Sequence, residues 1–77
     1  MSIAYVLINV ETGQDEDVHK ILVGLDEVIE AYMLYGVYDI LAKIEAEDMG
    51  TLKEIISNKL RSVSGIRSTL TMIVTGT

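Results

Sequence analysis

Residues 3–10 (IAYVLINV) form an unbroken apolar run rich in β-branched side chains and bounded by Glu-Thr-Gly, which predicts a buried central strand. The period then changes. Val18, Ile21, Leu22 and Leu25 recur at i, i+3, i+4 and i+7, one face of a helix. Thr12 with Asp15 three residues later reads as its start, and Asp15, Glu16 and Asp17 sit where the helix dipole favours negative charge. Gly24 weakens the last turn. Residues 27–35 (EVIEAYMLY) read as a second strand, Gly36-Val37 as a tight turn, and residues 38–47 (YDILAKIEAE) as a third strand, making a hairpin. In the third strand Ile40, Ala42, Ile44 and Ala46 face one side, and Asp39, Leu41, Lys43 and Glu45 the other. Asp48 is placed to cap a second helix with the apolar stripe Leu52, Ile55, Ile56, Leu60 and Val63. Lys59 and Arg61 lie near its C-terminus and Gly65 ends it. Residues 66–75 (IRSTLTMIVT) alternate again, with Leu70, Met72 and Val74 on one face and Thr69, Thr71, Ile73 and Thr75 on the other.

The order strand, helix, strand, strand, helix, strand, with right-handed crossovers, gives an α+β fold. It is the ferredoxin-like βαββαβ arrangement, an antiparallel four-stranded sheet with two helices on one face. The halves near 1–36 and 37–77 share a βαβ plan without a sequence repeat, and no linker divides them, so one domain is expected over 1–77. The helix-side positions are almost purely apolar: Ala4, Val6, Ile8 and Val10 on the first strand, Ile40, Ala42 and Ile44 on the third. The opposite positions are mixed, and by parity they include Tyr5, Leu7 and Asn9, then Asp39, Leu41 and Lys43, then Thr69, Thr71 and Ile73. Stacking two such sheets would cover Tyr5, Leu7, Leu41 and Ile73 in a dimeric α+β barrel, with the polar members lining an interfacial cavity. An ordinary solvated face also accounts for the Thr and Tyr residues.

Composition sharpens this. Of 77 residues, 49% are hydrophobic and 23% charged. That is more apolar side chain than a domain this small can hide by itself, so a homo-oligomer is expected. Six basic residues against twelve acidic ones leave a formal charge of −6, which argues against direct nucleic-acid binding. The absence of Cys excludes disulfides, thiolate metal sites and a Cys nucleophile. No apolar run approaches the roughly 20 residues of a membrane span, and the start MSIAYVLINVETG lacks a secretory pattern. A cytoplasmic protein without membrane association is expected.

Signals of catalysis are weak. His19, the single histidine, falls off the helix stripe and reads as a solvent-facing residue. No His-Glu spacing suits a metal, no Gly-rich loop precedes a helix, and the acidic runs at 15–17 and 45–48 read as capping and solvation. No catalytic residue, metal or cofactor is expected. The segment Tyr35-Gly36-Val37-Tyr38-Asp39 offers turn amides beside a carboxylate, a pairing that suits a zwitterion: donors for its carboxylate, an acceptor for its ammonium. A plain hairpin turn with an exposed Asp explains the same residues.

Gly36-Val37-Tyr38-Asp39 running into YDILAKIEAE, together with Thr69-Leu70-Thr71 followed by Met72-Ile73-Val74, resembles the signature of the RAM domain (regulation of amino-acid metabolism). This is the effector domain of the leucine-responsive, or feast/famine, transcription regulators of the Lrp/AsnC family, and the resemblance runs the length of the chain. It implies a domain that dimerises through its sheets and assembles into octamers or other rings, with a free amino acid bound between dimers. It further implies that Gly36 and Val37 offer amides, Tyr38 shapes the loop, Asp39 holds the effector's ammonium, and Thr69 and Thr71 line the pocket. Two departures stand out. Tyr35 replaces a residue that is often Thr, and the sequence opens at the effector domain's first strand, without a helix-turn-helix. A stand-alone module is therefore expected, acting on full-length Lrp/AsnC-type regulators rather than on DNA. The rival readings are a small dimeric α+β-barrel enzyme using Asn9 or Asp39 in the same sheet-face cavity, and a purely structural oligomerisation domain.

Overall fold

The first apolar run forms the central strand β1 (Ser2–Val10) in the computed structural model, which describes residues 1–76. There follow α1 (Asp15–Val23), β2 (Val28–Met33), β3 (Ile40–Ala46), α2 (Met49–Glu54) and β4 (Ile66–Ile73). A π-helical segment, Ile55–Leu60, continues α2 without a break. The strands lie in the order β2-β3-β1-β4 and every pairing is antiparallel. This is the ferredoxin-like α+β fold expected from the element order.

The core lies between sheet and helices. Ala4, Val6 and Ile8 of β1 and Ile40, Ala42 and Ile44 of β3 are fully buried, as are Val18 and Leu22 of α1 and Leu52 of α2. Ile55 and Ile56 rest against this core from the π-helical segment. Asp48 caps α2 as expected: its Oδ1 accepts the Thr51 N–H at 2.7 Å. That bond, made to the charged form, holds the Asp48 carboxyl below its ordinary value.

Five sequence expectations need correction. The second helical stretch ends at Leu60 and not at Gly65, which lies in the turn before β4. Thr12 does not cap α1; the helix starts at Asp15 after Gln14, which makes no side-chain cap bond. The reason is a turn in which Gly13 takes φ +79° and the Gln14 N–H donates to Glu11 O at 2.9 Å. Gly36-Val37 is not a tight turn, because residues 34–39 all lie in the link between β2 and β3, with Leu34 N–H donating to Asp39 O at 2.8 Å. Gly36 has no positive φ. His19 does not face solvent freely; its half-buried ring lies with Nε2 2.7 Å from Ala31 O of β2.

The fifth correction concerns β4. The register pairs Ala4 with Ile73, Val6 with Thr71 and Ile8 with Thr69. Directly opposed residues share a face, so Thr69, Thr71 and Ile73 belong to the helix side, and Ile73 packs against the core. It does not lie on the open face with Tyr5, Leu7 and Leu41. Leu70 and Met72 take that place, opposite Leu7 and Tyr5. The parity of an isolated strand leaves its face undetermined. Here β4 is an edge strand at the margin of the helix layer, where Thr69 stays exposed and Thr71 is half-buried, so hydroxyl side chains are tolerated on the inner side.

Candidate functional site

Asp39 closes the β2–β3 link and is held at three points. Its N–H donates to Ile8 O at 2.9 Å, its C=O accepts from Leu34, and its carboxylate Oδ2 accepts the Val10 N–H at 2.9 Å. The side chain therefore bridges from the start of β3 to the end of β1, which fixes its position at a strand terminus.

A cleft of about 340 Å³ opens there, lined by Val10, Glu11, Thr12, Gly13, Asp15, Asp39 and Arg67. One of its lining residues, Glu11, is tied down through the main chain. The Glu11 N–H donates to Gly65 O at 2.7 Å, joining the end of β1 to the turn before β4. Gly65 adopts φ +97°, and a Cβ added there would stand 2.9 Å from Val18 Cγ2. Close approach of α1 to this turn thus requires glycine, and it sets where Arg67 enters the cleft.

Three carboxylates (Glu11, Asp15, Asp39) and one guanidinium (Arg67) share the rim. The single ion pair among the described residues lies elsewhere, Lys59 Nζ to Glu27 Oε2 at 2.7 Å. Opposite charges thus stand around one opening without neutralising each other. The Lys59 contact holds the Glu27 carboxyl below its usual range. No group of three or more metal-ligating side chains occurs among the described residues.

The residues singled out in the sequence are not gathered into one place. Asp39 lines the cleft. Gly36 and Val37 are exposed on the loop, Val37 at 85%, and do not line it, and Tyr38 is half-buried. Thr69 and Thr71 stand on the helix side of β4, away from Asp39. Tyr5, Leu7 and Leu41 do share the open face, where they are half-buried. Arg67, Thr12, Gly13 and Asp15 complete the cleft, and sequence reasoning missed them as site residues. A signal existed for Arg67, the one charged residue in the otherwise uncharged run 66–75.

A family model described as the Lrp/AsnC ligand binding domain matches residues 3–77, and the chain belongs to that family. It is 33% identical over 72 residues to the HTH-type transcriptional regulator FL11 of Pyrococcus furiosus, covering 94% of this chain and 47% of the regulator. It is 46% identical over 55 residues to the homocitrate synthase of Sulfurisphaera tokodaii, covering 71% of this chain and 11% of that enzyme. The chain thus spans less than half the length of either relative. The crystal structure of the hypothetical protein PHS023 from Pyrococcus horikoshii superposes with a TM-score of 0.93 at 34% identity, covering 100% of this chain and 93% of that one.

Proposed function

We propose that this chain is a non-enzymatic amino-acid sensor that works as a homo-oligomer and modulates transcription regulators of the Lrp/AsnC type through effector-dependent assembly. Family membership supports a regulatory ligand-binding role. The observation that carries the amino-acid reading is Asp39, a carboxylate locked to the Val10 N–H at the rim of a cleft large enough for a free amino acid. Its position suits an ammonium group, and the Gly36 and Val37 amides of the same link are the donors that a second copy would bring within reach of the carboxylate. Thr69 and Thr71 would contribute from β4 only in such an assembly, since they lie outside the cleft of one chain.

The open sheet face supports the oligomer. A row of Tyr32, Leu41, Leu7 and Leu70 crosses all four strands, and Tyr32 and Leu70 remain 53% and 47% exposed. Face-to-face packing of two such sheets would bury it. A dimer, and from it a ring, is the assembly we infer, with Tyr5, Leu7 and Leu41 at its interface and Leu70 and Met72 replacing Ile73. No helix among the described residues is long and apolar enough to cross a membrane.

Native mass spectrometry with the standard amino acids added singly tests this. An even-numbered assembly that takes up a specific amino acid is expected, with binding lost in Asp39→Ala while the far-UV spectrum is kept. Unchanged uptake by Asp39→Ala would remove the site; indifference to every amino acid would remove the function.

A further inference from the structure

A second cleft, of about 310 Å³, lies along the outer edge of β4 and is lined by Arg61, Ile66, Arg67, Ser68 and Thr69. Arg61 and Arg67 are the only arginines in the sequence. In a chain with twice as many acidic as basic residues, both fall on one opening, and no carboxylate lines it. Neither guanidinium has an ion-pair partner within 4.0 Å among the described residues, including the three carboxylates of the neighbouring cleft. Two like charges that line one opening repel each other, and an anion held between them would relieve that.

The remaining groups are donors of the right kind. Thr69, on the helix side of β4, carries a hydroxyl, and the main chain adds another donor. The Val74 N–H donates to Ile3 O at 2.9 Å, so by the alternation of an antiparallel ladder the N–H groups of Ile73, Thr71 and Thr69 point away from β1, off the free edge. Arg61 follows the last residue of the π-helical segment, a place where a cation also complements the helix C-terminus. That accounts for Arg61 by itself but not for its convergence with Arg67.

We propose that Arg61 and Arg67, with the Thr69 hydroxyl and the outward Thr69 N–H, form a binding site for a phosphate group that adjoins the Asp39 cleft and shares Arg67 with it. Two guanidiniums match the charge of about −1.5 to −2 that a phosphate monoester carries near neutral pH, and their planar forks suit its oxygens. A carboxylate would neutralise one of them only. Nothing in this assignment depends on the amino-acid reading.

Calorimetric titration of the assembled protein with inorganic phosphate at low ionic strength tests it, with acetate at matched ionic strength as the control. Saturable uptake of one phosphate per chain is expected, weakened about tenfold or more in Arg61→Gln, which leaves the Asp39 cleft intact, and abolished when Arg67→Gln is added. Glycerol phosphate in place of the free ion distinguishes a site for an esterified phosphate from one for the anion itself, and tighter binding of either agrees with the proposal. Absence of saturable phosphate binding, equal binding of acetate, or an unaltered affinity in Arg61→Gln with native circular dichroism would overturn it. So would a change of native mass in the double variant with phosphate uptake retained, which would assign the arginines to a contact between copies.

Discussion

The two faces of the sheet are made by the same strands and differ in what covers them. On the helix side, Val6 and Ala42 meet in one row and Ile8 and Ile40 in the next, all fully buried under α1 and α2. One residue along each strand, Leu7 and Leu41 meet on the other face and stay only half-buried, with Leu70 and Tyr32 more exposed at the ends of the row. Leu is as apolar as Ile. The difference therefore comes from the absence of a covering layer within the chain rather than from residue type. The helix side provides the stability of the fold, whereas the open side stores apolar surface that a second sheet can use.

The largest effect should come from cutting into the covered side. Ile8→Ala removes a fully buried side chain and is expected to cost about 2–5 kcal/mol, a large part of a small domain's stability, read from urea unfolding with an unchanged m-value. A loss below about 1 kcal/mol would mean that the two faces do not differ as described.

On the open side the same kind of change should act on association. Leu7→Lys places a charge in the middle of the apolar row, and sedimentation should show a smaller assembly while circular dichroism stays native. If the variant keeps its mass, sheet stacking is wrong; if it unfolds, the open face contributes to the fold itself. Met72→Lys, nearer the margin of the same face, should weaken association less, and Ile73→Lys should destabilise the fold instead, because Ile73 packs on the helix side.

The smallest effect separates both faces from the helix termini. Asp48 accepts the Thr51 N–H, which depresses its pKa in the folded state below the ordinary 3.8. Its contribution is therefore present above the unfolded pKa and lost as pH falls through the folded one. Asp48→Asn keeps an acceptor without the charge, so the variant should be slightly less stable than the parent at pH 7, with the gap closing in acid. Thermal midpoints measured at pH 7 and near pH 2 should show this. A constant gap would mean that the carboxylate's charge does not matter to the cap.

Much of this was legible beforehand, for identifiable reasons. β1 and β3 are central strands with one face packed on helices, so their alternation maps directly onto burial, and Ala4, Val6, Ile8, Ile40, Ala42 and Ile44 fall where the pattern places them. Asp48 marks the start of the second helical stretch through its hydrogen bond to Thr51, whereas that stretch stops at Leu60 and Gly65 serves only the turn before β4. The β4 assignment failed because an edge strand has less to bury, so Thr and Ile alternate with Leu and Met without stating which set turns inward. The Asp39 cleft was half legible. Asp39 itself follows from the motif, but its neighbours Thr12, Asp15 and Arg67 come from segments far apart in sequence, joined by the Glu11–Gly65 bond.

The sequence by itself determined the element order, the βαββαβ topology and the central core, because periodicity, caps and the handedness of crossovers are local properties of the chain. Tertiary structure decided the rest: which face of β4 turns inward, which charges gather around Asp39, and that both arginines meet at one edge. Those outcomes depend on register between strands distant in sequence, and a shift of one residue exchanges the two faces of a strand. Alternation alone does not carry that information.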